Sequence, residues 1–305
     1  MKLKTKDLLT LKELSPKEFD ILVRDSIKLK AQAKKGNYKP ILKNKTLAMI
    51  FQKPSTRTRI SFETGMFQLG GHAINLSPND MQLSRGESVE DTARTMSRYV
   101  DCILARVYEH DLIEKLAKHA TIPVINGLSN SFHPCQILAD FMTIKEKKKR
   151  LDGIKISWIG DGNNVCNSMI YGAALSGALM SIATPKGFGP DKSVVKESKK
   201  TTAIEVTTDP LTAIKDADVV VTDTFTSIHN LDPNRMKSFI PKYQINESLM
   251  KNAKKDAIFM HCLPAKRGIE VTASVIDGPQ SVVWSEAENR LHTQKALLAS
   301  LITPS

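Results

Sequence analysis

The sequence predicts an α/β protein made of two doubly wound parallel-sheet domains joined by linker helices. Three observations carry that prediction. Short apolar runs alternate with helical patterns, as in parallel sheets built with crossover helices. The alternation restarts after a basic run, Lys145-Glu146-Lys147-Lys148-Lys149-Arg150. Polar, reactive stretches stand just after apolar runs, where open α/β sheets present ligand-binding groups. A length of 305 residues suffices for two domains of ordinary size.

Taken in order, residues from about 8 to 35 read as helical, with Ser15-Pro16-Lys17-Glu18 marking a new helix start inside them. Apolar runs follow at 46–51, 72–76, 102–107 and 122–125, and helical patterns at roughly 56–69, 88–99, 109–119 and 134–148. After the basic run, 154–160 reads as a strand and 164–179 as a helix. Further strands read at 180–184, 203–207, 218–223 and 257–262, and about 286–302 is helical. The domain boundary is expected near 140–152. A first domain then covers 1–145, with the C-terminal helix at about 286–305 packing back on it, and a second covers 146–285.

Composition narrows the function. Hydrophobic residues make up 41% and charged residues 25%, a globular balance. There is no apolar run long enough to span a membrane and no signal-peptide core at the start, so a cytoplasmic location is expected. Cys102, Cys135, Cys166 and Cys262 form no C-x-x-C pair, which argues against zinc and disulfides and for reduced thiols. The net charge of +12 is spread along the chain, and its densest run ends a helix that basic residues favour. Nucleic-acid binding is therefore not expected, and an acidic small substrate uses the charge equally well.

Phe51-Gln52-Lys53-Pro54-Ser55-Thr56-Arg57-Thr58-Arg59 joins an apolar run to a helix whose apolar face is read as Ile60, Phe62, Met66, Phe67 and Leu69. Hydroxyls, first-turn N–H groups and arginines at one helix start suit a phosphate or similar dianion. An ordinary capped helix with solvated arginines fits the same residues. Arg106 ends an apolar run, and His133 and Gln136 flank Pro134 at a helix start, where they can offer donors to a carbonyl oxygen. Gly160-Asp161-Gly162-Asn163-Asn164-Val165 lacks the third glycine of a dinucleotide turn, and Ala183-Thr184-Pro185 stands where the ribose-binding acid belongs. Asp223 closes an apolar run and suits an ammonium group. His261 and Cys262 are adjacent on a strand and point to opposite faces, so His261 is badly placed to activate Cys262 as a nucleophile. Cys262 is then either buried and inert or a ligand-contacting thiol.

In this order, Ser55-Thr56-Arg57-Thr58-Arg59, Arg106, His133-Pro134-Cys135-Gln136, Asp161-Gly162-Asn163-Asn164, Asp223 and His261-Cys262-Leu263-Pro264 resemble the transcarbamylase family over nearly the whole chain. The HPCQ and HCLP forms are similar to its ornithine branch. Three places depart from the family pattern. Gln52 replaces a glutamate, Ser84-Arg85-Gly86-Glu87 replaces Gly-Arg-Gly-Glu, and Ser227-Ile228-His229 replaces Ser-Met-Gly. The last departure keeps a transcarbamylase for another amine (aspartate, putrescine or acylated ornithine) as the alternative acceptor reading, and the Gly160–Val165 turn keeps an NAD-dependent oxidoreductase as the remote one.

The resemblance implies transfer of a carbamoyl group from carbamoyl phosphate to L-ornithine, giving L-citrulline and phosphate, in arginine metabolism. It implies Arg57, Arg106, His133, Asp223 and Cys262 as catalytic. It implies carbamoyl phosphate contacts from Ser55, Thr56, Arg57, Thr58, Gln82, Arg106, His133, Gln136, Cys262, Leu263 and Arg290. It implies ornithine contacts from Asn163, Asn164, Asp223, Ser227 and Ile228. No metal or cofactor is implied, because arginines supply the positive charge. A homotrimer or a multiple of it, and domain closure over the substrates, are further expectations of the family. Arg59 is left with an intramolecular role.

Overall fold

The central apolar runs become buried strands because both faces of a parallel sheet are covered by crossover helices, while two edge strands, His72–Leu76 and Ile204–Thr207, stay partly exposed. A computed structural model of the chain describes residues 3–77, 79, 81–226 and 233–303. It divides into one unit of residues 1–142 and 288–305 and a second of 143–287.

The first unit starts with α1 (Pro16–Lys34), fixed by a capping box between Ser15 and Glu18. Then come β1 (Thr46–Phe51), α2 (Thr56–Gln68) and β2 (His72–Leu76). A short 3₁₀ turn, Gln82–Arg85, leads to α3 (Val89–Tyr99) and β3 (Cys102–Arg106). The unit continues with α4 (His110–His119), β4 (Val124–Leu128) and α5 (Pro134–Lys148), whose last residues enter the second unit. Its parallel sheet has the order β2-β1-β3-β4. The chain thus builds outward from β1 to β2, then returns to the other side of β1 for β3.

The second unit repeats the plan with β5 (Lys155–Ile159), α6 (Asn164–Ser176), β6 (Leu179–Ala183), α7 (Lys192–Ser198) and β7 (Ile204–Thr207). It continues through α8 (Pro210–Ile214), β8 (Val219–Thr222), α9 (Pro233–Phe239) and α10 (Glu247–Met250). It closes with β9 (Ile258–His261), α11 (Ala273–Ile276) and the start of α12 (Val283–Ile302). Its sheet runs β7-β6-β5-β8-β9, all parallel, and reverses direction of growth between β5 and β8. Among the described residues, no helix is long and apolar enough to cross a membrane.

Two expectations are corrected. Residues 8–14 are not helical. Leu8 forms a parallel bridge to Ile125, donating to Val124 O at 2.9 Å and accepting from Asn126 N at 2.8 Å. The Glu13 carboxylate takes the N–H groups of Leu9, Thr10 and Leu11 at 3.0–3.3 Å. Strand pairing and a carboxylate that collects successive amides win over local helical periodicity. On α2, Phe62 and Met66 are buried, but Ile60 is 56% and Phe67 80% exposed, so these two do not belong to the buried face. Some ends also shift. Helix α6 stops at Ser176 because Gly177 takes the left-handed conformation at φ +74°.

Gly162 is required by close approach. A Cβ there would lie 2.2 Å from Pro190 N and 2.3 Å from Gly189 C, both backbone atoms. Gly162→Ala is predicted to cost about 1–3 kcal/mol of stability, measured by urea unfolding; a loss below about 0.5 kcal/mol would sink the close-approach argument.

Candidate active site

In open parallel sheets, the crevice lies at the carboxyl ends of strands where the order reverses. In the first unit these are β1 and β3. Gln52 N donates to Arg106 O at 2.9 Å, tying the two strand ends together. After β1 the chain turns into α2, with Ser55 as an extended N-cap whose Oγ accepts from Thr58 N at 3.2 Å. The first-turn amides of α2 face out of its N-terminus beside Arg57. At the end of β3, the pairing to β4 shifts register between Ala105 and Arg106, a bulge that re-aims the arginine.

His133 precedes Pro134 of α5 and is buried. Its pKa is held well below the ordinary imidazole value, chiefly by burial and then by the charges of Arg290, Arg106 and Arg57. Arg290, on α12, donates from Nη1 to Gln136 Oε1 at 2.6 Å and from Nη2 to Thr58 Oγ1 at 3.2 Å. Gln136 Nε2 in turn donates to Asp140 Oδ1 at 2.8 Å. The structure therefore gathers Ser55, Thr56, Arg57, Thr58, Arg106, His133, Gln136 and Arg290 in the first unit, with hydrogen bonds or charge linking most of them. Gln82 is not joined to them by any described hydrogen bond and is exposed on its 3₁₀ turn. Arg59 pairs instead with Glu63 on the same helix at 3.3 Å.

In the second unit the reversal falls between β5 and β8. Asn163 caps α6, with Oδ1 accepting from Val165 N at 3.0 Å and Cys166 N at 3.2 Å. Those two amides are the kind a dinucleotide pyrophosphate would need, so the glycine turn is used structurally. Asn163 Nδ2 donates to Asp223 Oδ2 at 2.7 Å. The other oxygen of Asp223 accepts from Thr224 N at 2.7 Å and from Cys262 Sγ at 3.2 Å. Asp223 is buried and Cys262 half-buried. Cys262 and Leu263 lie in this unit, beside Asp223 and apart from the anion cluster in sequence and fold unit. Ser227 and Ile228, with His229, lie outside the described residues.

His261 is engaged by its own turn and faces Glu270. Its Nδ1 accepts from Leu263 N at 2.9 Å, so its proton sits on Nε2, 3.3 Å from Glu270 Oε1. The ring shapes the turn that presents Cys262. Asp223, His261 and Cys262 offer donor atoms within 4.8 Å of one another, a metal-compatible spacing. Each is already engaged by the hydrogen bonds above, which suits an organised polar cluster without requiring an ion.

Sequence reading missed several supports. Lys53 is buried, with Nζ 4.5 Å from the Tyr108 ring centre, and burial followed by Arg106 pushes its pKa down to about 8. Gln52 Oε1 accepts from Tyr108 N at 3.1 Å. Asp140, Asp161 and Arg235 also hold site residues in place. A buried lysine beside an arginine-rich helix start was the one detectable signal; the others depend on distant neighbours.

Two family models match successive stretches of the chain. The aspartate/ornithine carbamoyltransferase carbamoyl-P binding domain matches residues 6–146, and the Asp/Orn binding domain of that family matches 152–301. An ornithine carbamoyltransferase of Cenarchaeum symbiosum is 59% identical, covering 99% of both chains. One from Pyrococcus furiosus, described as anabolic, is 50% identical over 96% of this chain and 95% of its own. The solved P. furiosus ornithine carbamoyltransferase superposes with a TM-score of 0.95 at 50% identity, over 99% of this chain and 98% of that one.

The His133 environment sets a pH expectation. Its folded pKa lies below the unfolded value of about 6.5, so the folded chain refuses a proton that the unfolded chain accepts. This group therefore withdraws stability as pH falls through about 6.5 and exacts no such penalty above it. By NMR, the His133 ring signals should hold their neutral positions from pH 8 down to pH 6. A midpoint near 6.5 would show that neither burial nor the arginines hold its pKa down.

Proposed function

The chain belongs to the aspartate/ornithine carbamoyltransferase family, and from that premise we propose that it transfers the carbamoyl group of carbamoyl phosphate to the side-chain amine of L-ornithine, giving L-citrulline and phosphate. One observation carries the reading. The first unit's switch point holds an arginine-rich helix start with a neutral imidazole, and the second unit's holds a carboxylate-centred cluster.

The residue roles follow from that chemistry. Ser55, Thr56, Arg57 and Thr58 receive the phosphate dianion with hydroxyls, amides and guanidinium, and Arg106 adds a second cation. Arg57 spans phosphate and carbonyl oxygens and steadies the leaving phosphate. His133, Gln136 and Arg106 polarise the carbonyl oxygen. The neutral His133 does this as a hydrogen-bond donor and leaves the charge to the arginines. Gln136 turns an amide toward the same oxygen, its own carbonyl held by Arg290. Arg290 holds Gln136 and Thr58 at their angles.

Asp223 takes the α-ammonium of ornithine and Asn164 its carboxylate, with Cys262 facing the substrate amine. Asn163 acts through Asp223, since its own amide is committed to that carboxylate and to the α6 amides. Ser227 and Ile228 are assigned to ornithine from sequence alone. The side-chain amine has a pKa of about 10.4 in water, like lysine, and must arrive neutral. A cationic, desolvated environment favours that form. As the C–N bond forms, the bond from the carbamoyl carbon to the phosphate oxygen breaks, and the proton that the nitrogen sheds goes to the departing phosphate.

We assign residues 1–145 with the C-terminal helix to carbamoyl phosphate and 146–285 to ornithine. The exposed apolar residues Ile60, Phe67, Ile74 and Tyr99 of the first unit favour association with further copies, and the family expectation makes that a homotrimer or a multiple of it. Cys102, Cys135, Cys166 and Cys262 form no disulfide, in keeping with a cytoplasmic location. The second acceptor reading is favoured by His229 in the place of a family glycine.

Assay of carbamoylation with ornithine, putrescine, aspartate and acylated ornithine tests the acceptor; a better rate with any other amine overturns ornithine. Arg57→Ala should lower kcat/KM by about a thousandfold or more, and near-normal turnover would remove the anion-site assignment. Cys262→Ala should raise the KM for ornithine more than that for carbamoyl phosphate, and the reverse would reassign the thiol. Light scattering should give the mass of three chains or a multiple of it.

A further inference from the structure

We propose that Arg235 is a positioning residue for the amine acceptor: it clamps the turn after β5 to the turn after β8 and so sets Asn163 against Asp223. The inference deepens the acceptor reading and rests on it.

The observations form a closed circuit within the second unit. Arg235, on α9, pairs with the Asp161 carboxylate and donates from Nε to Phe225 O at 2.9 Å. Asp161 stands two residues before Asn163, and Phe225 two residues after Asp223. Asn163 and Asp223 then close the circuit through their 2.7 Å hydrogen bond. Two side chains thus touch where two backbone turns have been fixed to one guanidinium.

The guanidinium suits this task. Its planar fork serves a carboxylate and a carbonyl at once, which an ammonium cannot do with the same geometry. It lies 4.7 Å from the Phe188 ring centre and 5.4 Å from that of Phe239. Phe225 stacks on Phe239 at 4.7 Å, so the rings exclude water around the pair. Its side chain is only 12% exposed and that of Asp161 15%. Truncating one member of such a pair leaves the other buried and uncompensated. The Asp161 carbonyl also accepts from buried Trp158 Nε1 at 2.9 Å, which holds the turn from its other side.

The charged groups acting on Asp161 are Arg235 and Asp223. Burial raises its pKa, Arg235 pulls it down and Asp223 pushes it up, leaving it at about 6. The sign follows: as pH falls through about 6, Asp161 takes a proton and the clamp loses its ionic character. Ornithine affinity should weaken there beyond the effect of amine protonation, which every variant shares.

The test is steady-state citrulline formation by Arg235→Met, Arg235→Lys and Asp161→Asn, with thermal unfolding alongside. The KM for ornithine should rise roughly tenfold or more in the Met and Asn variants, while the KM for carbamoyl phosphate stays within about twofold. Arg235→Lys should recover part of the loss, because it keeps the charge and loses the fork. The double variant Arg235→Met/Asp161→Asn should be no worse than the worse single one, as coupled residues behave. The acid-side rise of ornithine KM near pH 6 should be present in the unaltered enzyme and absent in Asp161→Asn. Ornithine KM within about twofold of the unaltered enzyme in all the folded variants overturns the proposal. So do equal losses in both KM values that merely track thermal stability. If Arg235→Met does not fold, the Lys and Asn variants decide. An unaltered enzyme that carbamoylates no amine defeats the functional reading and this proposal with it; product formation with unchanged KM values defeats this proposal alone.

Discussion

The direction reversal in each parallel sheet is the constraint on which the rest depends. Parallel strands need crossover helices, and the crossovers after β1 and β5 lead to one side while β3 and β8 are placed on the other. Neighbouring strand ends then lead away from each other, and loops there face open space. Ser55–Thr58 and Arg106 occupy that place in the first unit. Asn163 and Asp223 occupy it in the second. Two similar architectures thereby carry different polar groups at equivalent places, arginines in the first unit and a carboxylate in the second.

The first unit solves the problem of a dianion. Cations are concentrated around a histidine that they, with burial, keep neutral. In the proposed reaction this would leave the phosphate to the arginines and let a neutral imidazole donate to the carbonyl oxygen. The buried polar groups are held in series: Arg290 to Gln136 and Thr58, and Gln136 to Asp140. Such a series fixes angles before substrate arrives, which is where electrostatic catalysis draws its strength.

The second unit organises a carboxylate. Asp223 is met by an amide, a backbone N–H and a thiol. Each of those donors is itself placed by something else: Asn163 by the start of α6, and Cys262 by the turn that His261 and Leu263 shape. In the adjacent His-Cys pair, the imidazole is thus engaged by its own turn and the thiol by Asp223. Arg235 extends the same logic one step outward, joining the two turns through a water-poor ion pair.

Much of this was legible in the sequence. The alternation of apolar runs with helical patterns specifies parallel sheets because each strand must be apolar on both faces. The HPCQ, HCLP and Ser-Thr-Arg-Thr-Arg segments display their chemistry in consecutive residues. What a short window cannot show is which distant element competes for it. Residues 8–14 have a helical pattern, yet Leu8 pairs with Ile125, more than a hundred positions away. Ile60 and Phe67 look like core and face outward. Arg235 has no local signature, because its meaning lies in Asp161 and Phe225. Periodicity and motif order thus determined the architecture and the family. Tertiary structure alone decided how the polar groups are oriented, since buried ion pairs and strand neighbours form only when remote segments meet.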